Sequence, residues 1–363
     1  MNLKLSNEIK AEALRLGFFA CGIAKAEAVD EATAHDVRQW LSEGKYAGME
    51  YMNNHTDKRL NPSLLMPGVR SIVSVALSYA PYERIKASEY QLACYAYGQD
   101  YHDVMKNKLR ALASALGFQP YEEGVSSASS IHVTSSEMLG EVPFTSNKDA
   151  GEGQSLSEGV PKTVHFRAFC DTAPVLERYW AVKAGLGWIG KNHQLIIPHA
   201  GSMFVLGELF LDVDLEYDEV MPNRCGTCRR CLDACPTGAL GQPRDGEKHF
   251  AHRFDASLCL SYQTIENRGE LSPMVKRAMG NNIYGCDHCQ TACPWNRFAL
   301  PTTIAELQPH SALLQMTKEQ WNNLTEKEYQ QLFKGSAVKR AKYAGLVRNI
   351  AAVRDNEQQD KKT

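Results

Sequence analysis

The sequence predicts a multidomain α+β protein. It divides into an α/β first domain over residues 1–215, a small cysteine-organised domain over 216–300, and a short helical C-terminal segment over 301–363. Three observations predict this. Helical and strand-like patterns alternate through the first segment, as they do where helices cover a sheet. Eight of the eleven cysteines fall between Cys225 and Cys293. After Pro301 apolar residues recur at helical spacing, with Leu313, Leu314, Trp321, Leu324 and Leu332 as anchors.

The elements follow in order. Ser6 is expected to cap a first helix that carries Ile9, Ala13 and Leu16 on one face and stops at Gly17. Residues 71–80 form a strand with a fully apolar face. A second helix starts near Tyr101, with Val104, Leu109, Leu112 and Leu116 at helical spacing and Gly117 at its end. Strand signals return over 165–170, 195–197 and 203–212. Between them, residues 122–162 are rich in Ser, Gly, Glu and Thr and read as a flexible insertion. The last nine residues, 355–363, read as a disordered tail.

A length of 363 residues suits two or three domains, and 44% apolar with 23% charged residues is a globular composition. The net charge of −2 gives no overall attraction to nucleic acid, so such a contact requires a local basic patch. The acidic, helical N-terminus is no signal peptide, and there is neither a twin-arginine run nor an apolar run of membrane-spanning length. A cytoplasmic location, where thiolates stay reduced, and no membrane contact are expected. The chain is expected to act as a monomer.

The cysteine spacing carries the chemistry. Cys225-x2-Cys228-x2-Cys231-x3-Cys235-Pro236 is followed by Cys286-x2-Cys289-x3-Cys293-Pro294, with Cys259 between them. A Cys-x2-Cys-x2-Cys loop wraps three thiolates around three irons of a cubane, and the cysteine before proline ligates the other cluster. One 4Fe–4S cluster then takes Cys225, Cys228, Cys231 and Cys293. The other takes Cys235, Cys286 and Cys289, and Cys259 is the nearest candidate for its fourth ligand because position 292 is Ala. The pattern is that of a bacterial two-cluster ferredoxin-like domain. Two four-cysteine zinc sites are the alternative, although zinc ribbons prefer paired Cys-x2-Cys units with longer spacers. A disulfide scaffold fits poorly with this length. Cys21, Cys94 and Cys170 read as ordinary buried thiols.

Four segments narrow the function. They are Tyr95-Ala-Tyr-Gly-Gln-Asp-Tyr-His102, Phe169-Cys-Asp-Thr-Ala-Pro-Val-Leu-Glu-Arg178, Lys183-Ala-Gly-Leu-Gly-Trp-Ile-Gly-Lys191 and Gly280-Asn-Asn-Ile-Tyr-Gly-Cys-Asp-His-Cys-Gln290. Together with Pro294-Trp-Asn-Arg297 and Gly335-Ser336-Ala337 they resemble the epoxyqueuosine reductase family over about residues 5 to 350. The resemblance implies a cobalamin-binding catalytic first domain and reduction of epoxyqueuosine to queuosine at the wobble position of tRNA anticodons. It implies two 4Fe–4S clusters that pass electrons to cobalamin, and a low-potential donor such as a flavodoxin or ferredoxin. Asp171 matches the family's proposed proton donor, worth about 10²- to 10⁴-fold in rate for a positioned acid. On local sequence alone Asp171 reads equally as the cap of a helix following Pro174.

The same resemblance implies that the loop containing Gly187 and Gly190 helps to hold cobalamin, with Lys191 near its phosphate. Arg59 is a similar candidate, its alternative being a solvated surface charge. Ser261 and Asp287, beside Cys259 and Cys286, are placed towards the cofactor, so the Cys259 cluster is expected to face the cobalt. Asp100-Tyr-His102-Asp-Val-Met105 misses the Asp-x-His-x-x-Gly pattern of histidine-ligated cobalamin at its last position, so base-off cobalamin is expected. Lys334, Lys339, Arg340, Lys342 and Arg348 are candidate phosphate contacts or a solvated helical face. Longer family members continue into a repeat-like helical domain beyond the segment matching 339–349. The rival readings are a reductive dehalogenase-like cobalamin enzyme and a non-catalytic two-cluster electron carrier, the latter leaving the first domain unexplained.

Overall fold

The computed structural model describes residues 2–123, 163–242 and 253–360, so the expected insertion lies outside the described residues from position 124 to 162. The strands in chain order are β1 (Ala20–Lys25), β2 (Ser71–Ser78), β3 (Gln91–Leu92), β4 (Gln119–Pro120), β5 (His165–Phe169), β6 (Trp188–Ile189), β7 (Leu195–Ile196), β8 (Phe204–Leu211) and β9 (Asn282–Tyr284). Five of them form one sheet in the order β1-β2-β8-β5-β4. The β1–β2, β2–β8 and β8–β5 pairs are antiparallel and only β4–β5 is parallel. Helix and strand therefore alternate along the chain without producing a parallel, doubly wound sheet.

Both faces of the sheet are covered, so β2 is buried along its length up to its last residue, Ser78. Val73, Val75, Leu77, Leu209 and Leu211 face a first core with Ile9 and Ala13 of the Leu3–Arg15 helix and Leu109 and Leu112 of the Tyr101–Ala115 helix. Ile72, Ala76, Leu206 and Phe210 face a second core under Trp180 and Ala181 of the Glu177–Lys183 helix. Each fully buried Val, Leu or Ile contributes about 1.5–3 kcal/mol by leaving water. The first core continues through Leu260, Ile283, Trp321, Tyr329, Phe333 and Val353, so one apolar interior joins residues from all three segments.

The first helix is capped by Asn2, not Ser6. The Asn2 side chain accepts the Leu5 N–H at 3.1 Å. Ser6 is buried one turn in, where its hydroxyl donates to the Asn2 carbonyl at 2.9 Å and accepts the Glu216 N–H at 2.8 Å. Gly17, at φ +88°, ends the helix as expected. The C-terminal helix runs from Lys342 to Asp360, so residues 355–360 are helical and not a disordered tail. The Asn356 amide donates to the Lys276 carbonyl at 2.5 Å, and Lys318 pairs with Glu357, which holds that end down. Buried Asn349 donates to the Thr264 carbonyl at 2.8 Å and the Ile283 carbonyl at 2.9 Å, joining this helix to the cysteine-rich segment. Among the described residues no helix is long and apolar enough to cross a membrane.

Candidate active site and cluster centres

All eleven cysteines are free thiols. Several of the clustered ones act on one another through their charge. Burial and then the neighbouring Cys225, Cys293 and Cys228 push Cys231 up to about 11. Burial and then Cys259, Asp287 and Cys235 push Cys286 up to about 12. Cys289 is raised by burial and then by Cys286 and Cys259. Cys289 is also raised by Asp287 and Cys231, so thiols of both expected sets lie near one another. Among the described residues no group of three or more His, Cys, Asp or Glu is placed to hold a single metal ion.

The surroundings of the thiols suit clusters. Backbone N–H groups of Ser261 and Tyr262 point at Cys259, those of Trp295 and Asn296 at Cys293, and that of His288 at Cys286. Such donors stabilise the charge carried by sulfur ligands. The Trp188 indole N–H is buried without a partner and packs with Cys293, Cys225 and Trp295. The Cys259 segment is fastened to the first domain. The Ala256 N–H donates to the Lys45 carbonyl at 2.9 Å, the Trp40 indole to the Phe254 carbonyl at 2.7 Å, and the Tyr262 hydroxyl accepts the Gly48 N–H at 2.8 Å. Asp287 is held in the same seam, accepting the Cys94 N–H at 2.8 Å, and burial raises its carboxyl above the ordinary value.

Asp171 follows β5 in a left-handed backbone conformation, φ +56°, which Asp tolerates better than most side chains. It caps no helix: the next one begins only at Glu177, with Leu176 at its cap and no side-chain cap bond. Instead one carboxylate oxygen, Oδ2, receives the Tyr101 hydroxyl at 2.5 Å and faces His102 Nε2 at 3.1 Å. The other imidazole nitrogen, Nδ1, lies 2.6 Å from Asp100 Oδ1. Asp100 caps the Tyr101–Ala115 helix by accepting the His102 N–H at 3.0 Å, so this helix start delivers Tyr101 and His102 to Asp171.

Electrostatics follow from this geometry. Burial lowers His102, but the hydrogen bonds to Asp100 and Asp171 outweigh it and bring the imidazole up to about 9. Burial raises Asp171, yet the bonds from His102 and Tyr101 and the His102 charge hold its carboxyl below the ordinary value. At neutral pH the constellation is therefore an imidazolium bonded to carboxylates, with 54% of the Asp171 side-chain surface still open. A histidine raised in the folded state stabilises it fully below its ordinary value of 6.5, and that contribution disappears as pH rises through about 9. Sequence reasoning saw Asp100 and His102 only as a failed cobalamin motif and a helix start. Both nitrogens of His102 face carboxylates.

The other candidates divide. Arg59 is buried, at 8% exposure, its Nε has no hydrogen-bond partner, and burial lowers its pKa, so it is no solvated surface charge. The Asn192 amide nitrogen is also buried and unpartnered. Each is a donor that an anionic or carbonyl oxygen would satisfy, the kind of oxygen that the phosphate and amides of cobalamin carry. Gly187 and Gly190 are required by the chain's own packing: an added Cβ would sit 2.0 Å from the Ile196 carbonyl at Gly187 and 2.5 Å from Ile196 Cδ1 at Gly190. Lys191 is committed to the cluster loop, donating to the carbonyls of Gly226 at 2.7 Å and Cys228 at 3.0 Å in place of the expected phosphate.

Two of the five C-terminal cations are also structural. Arg340 binds Glu266 at 2.7 and 3.0 Å, and Arg348 donates to the carbonyls of Gln263, Asn267 and Gly269. Lys334, Lys339 and Lys342 are exposed, and the Gly335 carbonyl accepts the Asp100 N–H at 2.7 Å, so this turn borders the Asp171 constellation.

Comparisons with known proteins show what the whole chain is similar to. A family model described as a 4Fe-4S double cluster binding domain matches residues 224–296, and one described as Epoxyqueuosine reductase QueG, DUF1730, matches residues 59–131. An epoxyqueuosine reductase of Cellulophaga algicola is 41% identical over 347 residues, covering 96% of this chain and 97% of its own. One from Escherichia coli is 31% identical over 359 residues, covering 97% and 81%. A crystal structure of epoxyqueuosine reductase with an epoxyqueuosine-modified tRNA-Tyr stem loop superposes with a TM-score of 0.75 at 25% identity, covering 96% of this chain and 80% of that one. The epoxyqueuosine reductase from Streptococcus thermophilus gives 0.74 at 26% identity, covering 98% and 82%.

Proposed function

Because the chain belongs to the epoxyqueuosine reductase family, we propose that it reduces epoxyqueuosine in tRNA to queuosine, with Asp171 as the residue that hands a proton to the departing oxygen. The observation that carries the residue assignment is that one open carboxylate oxygen of Asp171 meets both Tyr101 and His102. Converting an epoxide to an alkene consumes two electrons and two protons and releases water. No side chain supplies electrons at the required potential.

Two 4Fe–4S clusters, held by Cys225, Cys228, Cys231 and Cys293 and by Cys235, Cys259, Cys286 and Cys289, and base-off cobalamin supply that reducing power when bound. Arg59 and Asn192, two of the unpartnered buried donors, are the candidates to hold the cobalamin. The wobble position is the site in tRNA, the electron donor is a small low-potential carrier of the flavodoxin or ferredoxin type, and the enzyme works as a cytoplasmic monomer.

The chain's own contribution is protonic. Asp171, as a carboxylate, has no proton of its own to give at neutral pH. His102 stores one, and the Tyr101 hydroxyl fixes the carboxylate so that a proton moving from Nε2 to Oδ2 is passed on to the substrate oxygen. Asp100 holds the imidazole from behind and keeps Nε2 aimed at Asp171. The exposed Lys334 adjoins Gly335 at this mouth, and with the exposed Lys339 and Lys342 it suits RNA phosphates.

The test is a pH series of single-turnover rates. The rate is expected to fall as pH rises through about 9, where His102 loses its proton. His102→Asn should remove that alkaline limb and lower the plateau by about 10²-fold. A variant that keeps both limb and plateau would assign the proton elsewhere.

A further inference from the structure

We propose that Glu177 is a positioning residue for this reaction: its side-chain oxygen holds the backbone of Asp171 in the left-handed turn that aims the carboxylate at the substrate. The inference rests on the reading of Asp171 as proton donor. Glu177 Oε1 accepts the Asp171 N–H from six residues further along the chain. The remaining backbone bonds within the turn are short-range, Thr172 N–H to the Cys170 carbonyl at 2.6 Å and Val175 N–H to the Ala173 carbonyl at 2.8 Å. Neither reaches the rigid part of the fold. Glu177 does, because it opens the Glu177–Lys183 helix, whose Trp180 and Ala181 are buried against the sheet. Left-handed backbone at a residue with a side chain persists only where its surroundings enforce it.

A second carboxyl lies behind the first. Glu208 sits in β8, opposite Ser74 of β2 and Phe169, the last residue of β5 before the turn. It is 0% exposed, and neither its carboxyl oxygens nor the Ser74 hydroxyl has a hydrogen-bond partner. An unpaired carboxylate in such a place is too costly to persist, so Glu208 is a neutral acid. Burial and then the neighbouring Glu177 raise it, and burial and then Asp171 raise Glu177. Glu177 thus acts as a neutral hydrogen-bond acceptor, a role that an amide oxygen fills equally well. A charged latch would instead repel the Asp171 carboxylate whose backbone it holds.

The experiment compares Glu177→Leu, Glu177→Gln and Glu208→Gln with Asp171→Asn in one steady-state assay on modified tRNA, using protein with both clusters and cobalamin bound. Glu177→Leu should lower kcat by about 10- to 10²-fold, the scale of a displacement of about 1 Å. Its KM for tRNA, cluster absorbance and thermal midpoint should stay at wild-type values. Glu177→Gln and Glu208→Gln should stay within about twofold of wild type, because the first keeps a neutral acceptor oxygen for the Asp171 N–H and the second keeps a neutral side chain of the same shape. Wild-type kcat in Glu177→Leu overturns the proposal, and so does a Glu177→Gln variant as slow as Glu177→Leu. Full activity of Asp171→Asn would overturn the proton-donor reading beneath it, and is seen separately.

Discussion

Asp171→Asn lowers turnover by about 10²- to 10⁴-fold and leaves both clusters, cobalamin binding and tRNA affinity in place. The expectation follows from what the amide keeps and what it loses. Asn populates left-handed backbone as readily as Asp, so the turn at φ +56° survives. Its oxygen still accepts the Tyr101 hydroxyl now at 2.5 Å. The amide can neither take a proton from His102 nor hand one on. The loss therefore falls on the chemical step: kcat drops, and KM for tRNA stays within about twofold. A rate lowered only through KM would mean that Asp171 binds RNA and donates nothing.

The second large effect belongs to the iron–sulfur ligands. Cys259→Ala is expected to leave one intact 4Fe–4S cluster in place of two, and to abolish product formation. Its segment stays folded without the thiol, because the Ala256 N–H, Phe254 carbonyl and Tyr262 hydroxyl tie it to Lys45, Trp40 and Gly48. The loss is thus local. The Cys225, Cys228, Cys231 and Cys293 set keeps its ligands, so electron paramagnetic resonance of the reduced protein should retain one cluster signal and lose its magnetic coupling to the second. Two unperturbed clusters in this variant would remove Cys259 from the ligand set.

Much of the cluster centre was legible because the ligand spacing of an iron–sulfur site is a local property of the chain. The Cys-x2-Cys-x2-Cys loop has few other uses, and counting thiols led to Cys259, whose charge acts on Cys286 and Cys289. The role of Asp171 was not local. A carboxylate before Ala-Pro reads as a helix cap, and only the tertiary approach of Tyr101 and His102, about seventy residues earlier, shows otherwise. The glycine loop misled for a similar reason. Its missing side chains answer to the Ile196 carbonyl across a hairpin, and periodicity cannot reveal such a contact. Lys191 and Arg348 look like phosphate ligands in sequence but are consumed by backbone carbonyls. One signal was present and unread: Glu208 is a lone acid within a buried apolar strand, a position where a carboxyl needs a reason.

The central claim is that this chain removes one oxygen from epoxyqueuosine in tRNA. The measurement that tests it most directly is anaerobic incubation of the protein, carrying clusters and cobalamin, with epoxyqueuosine-containing tRNA and a low-potential reductant, followed by nucleoside mass spectrometry. A loss of about sixteen mass units from the modified nucleoside, one oxygen, is predicted. An unchanged epoxyqueuosine mass, with both clusters reduced and cobalamin bound, would contradict it.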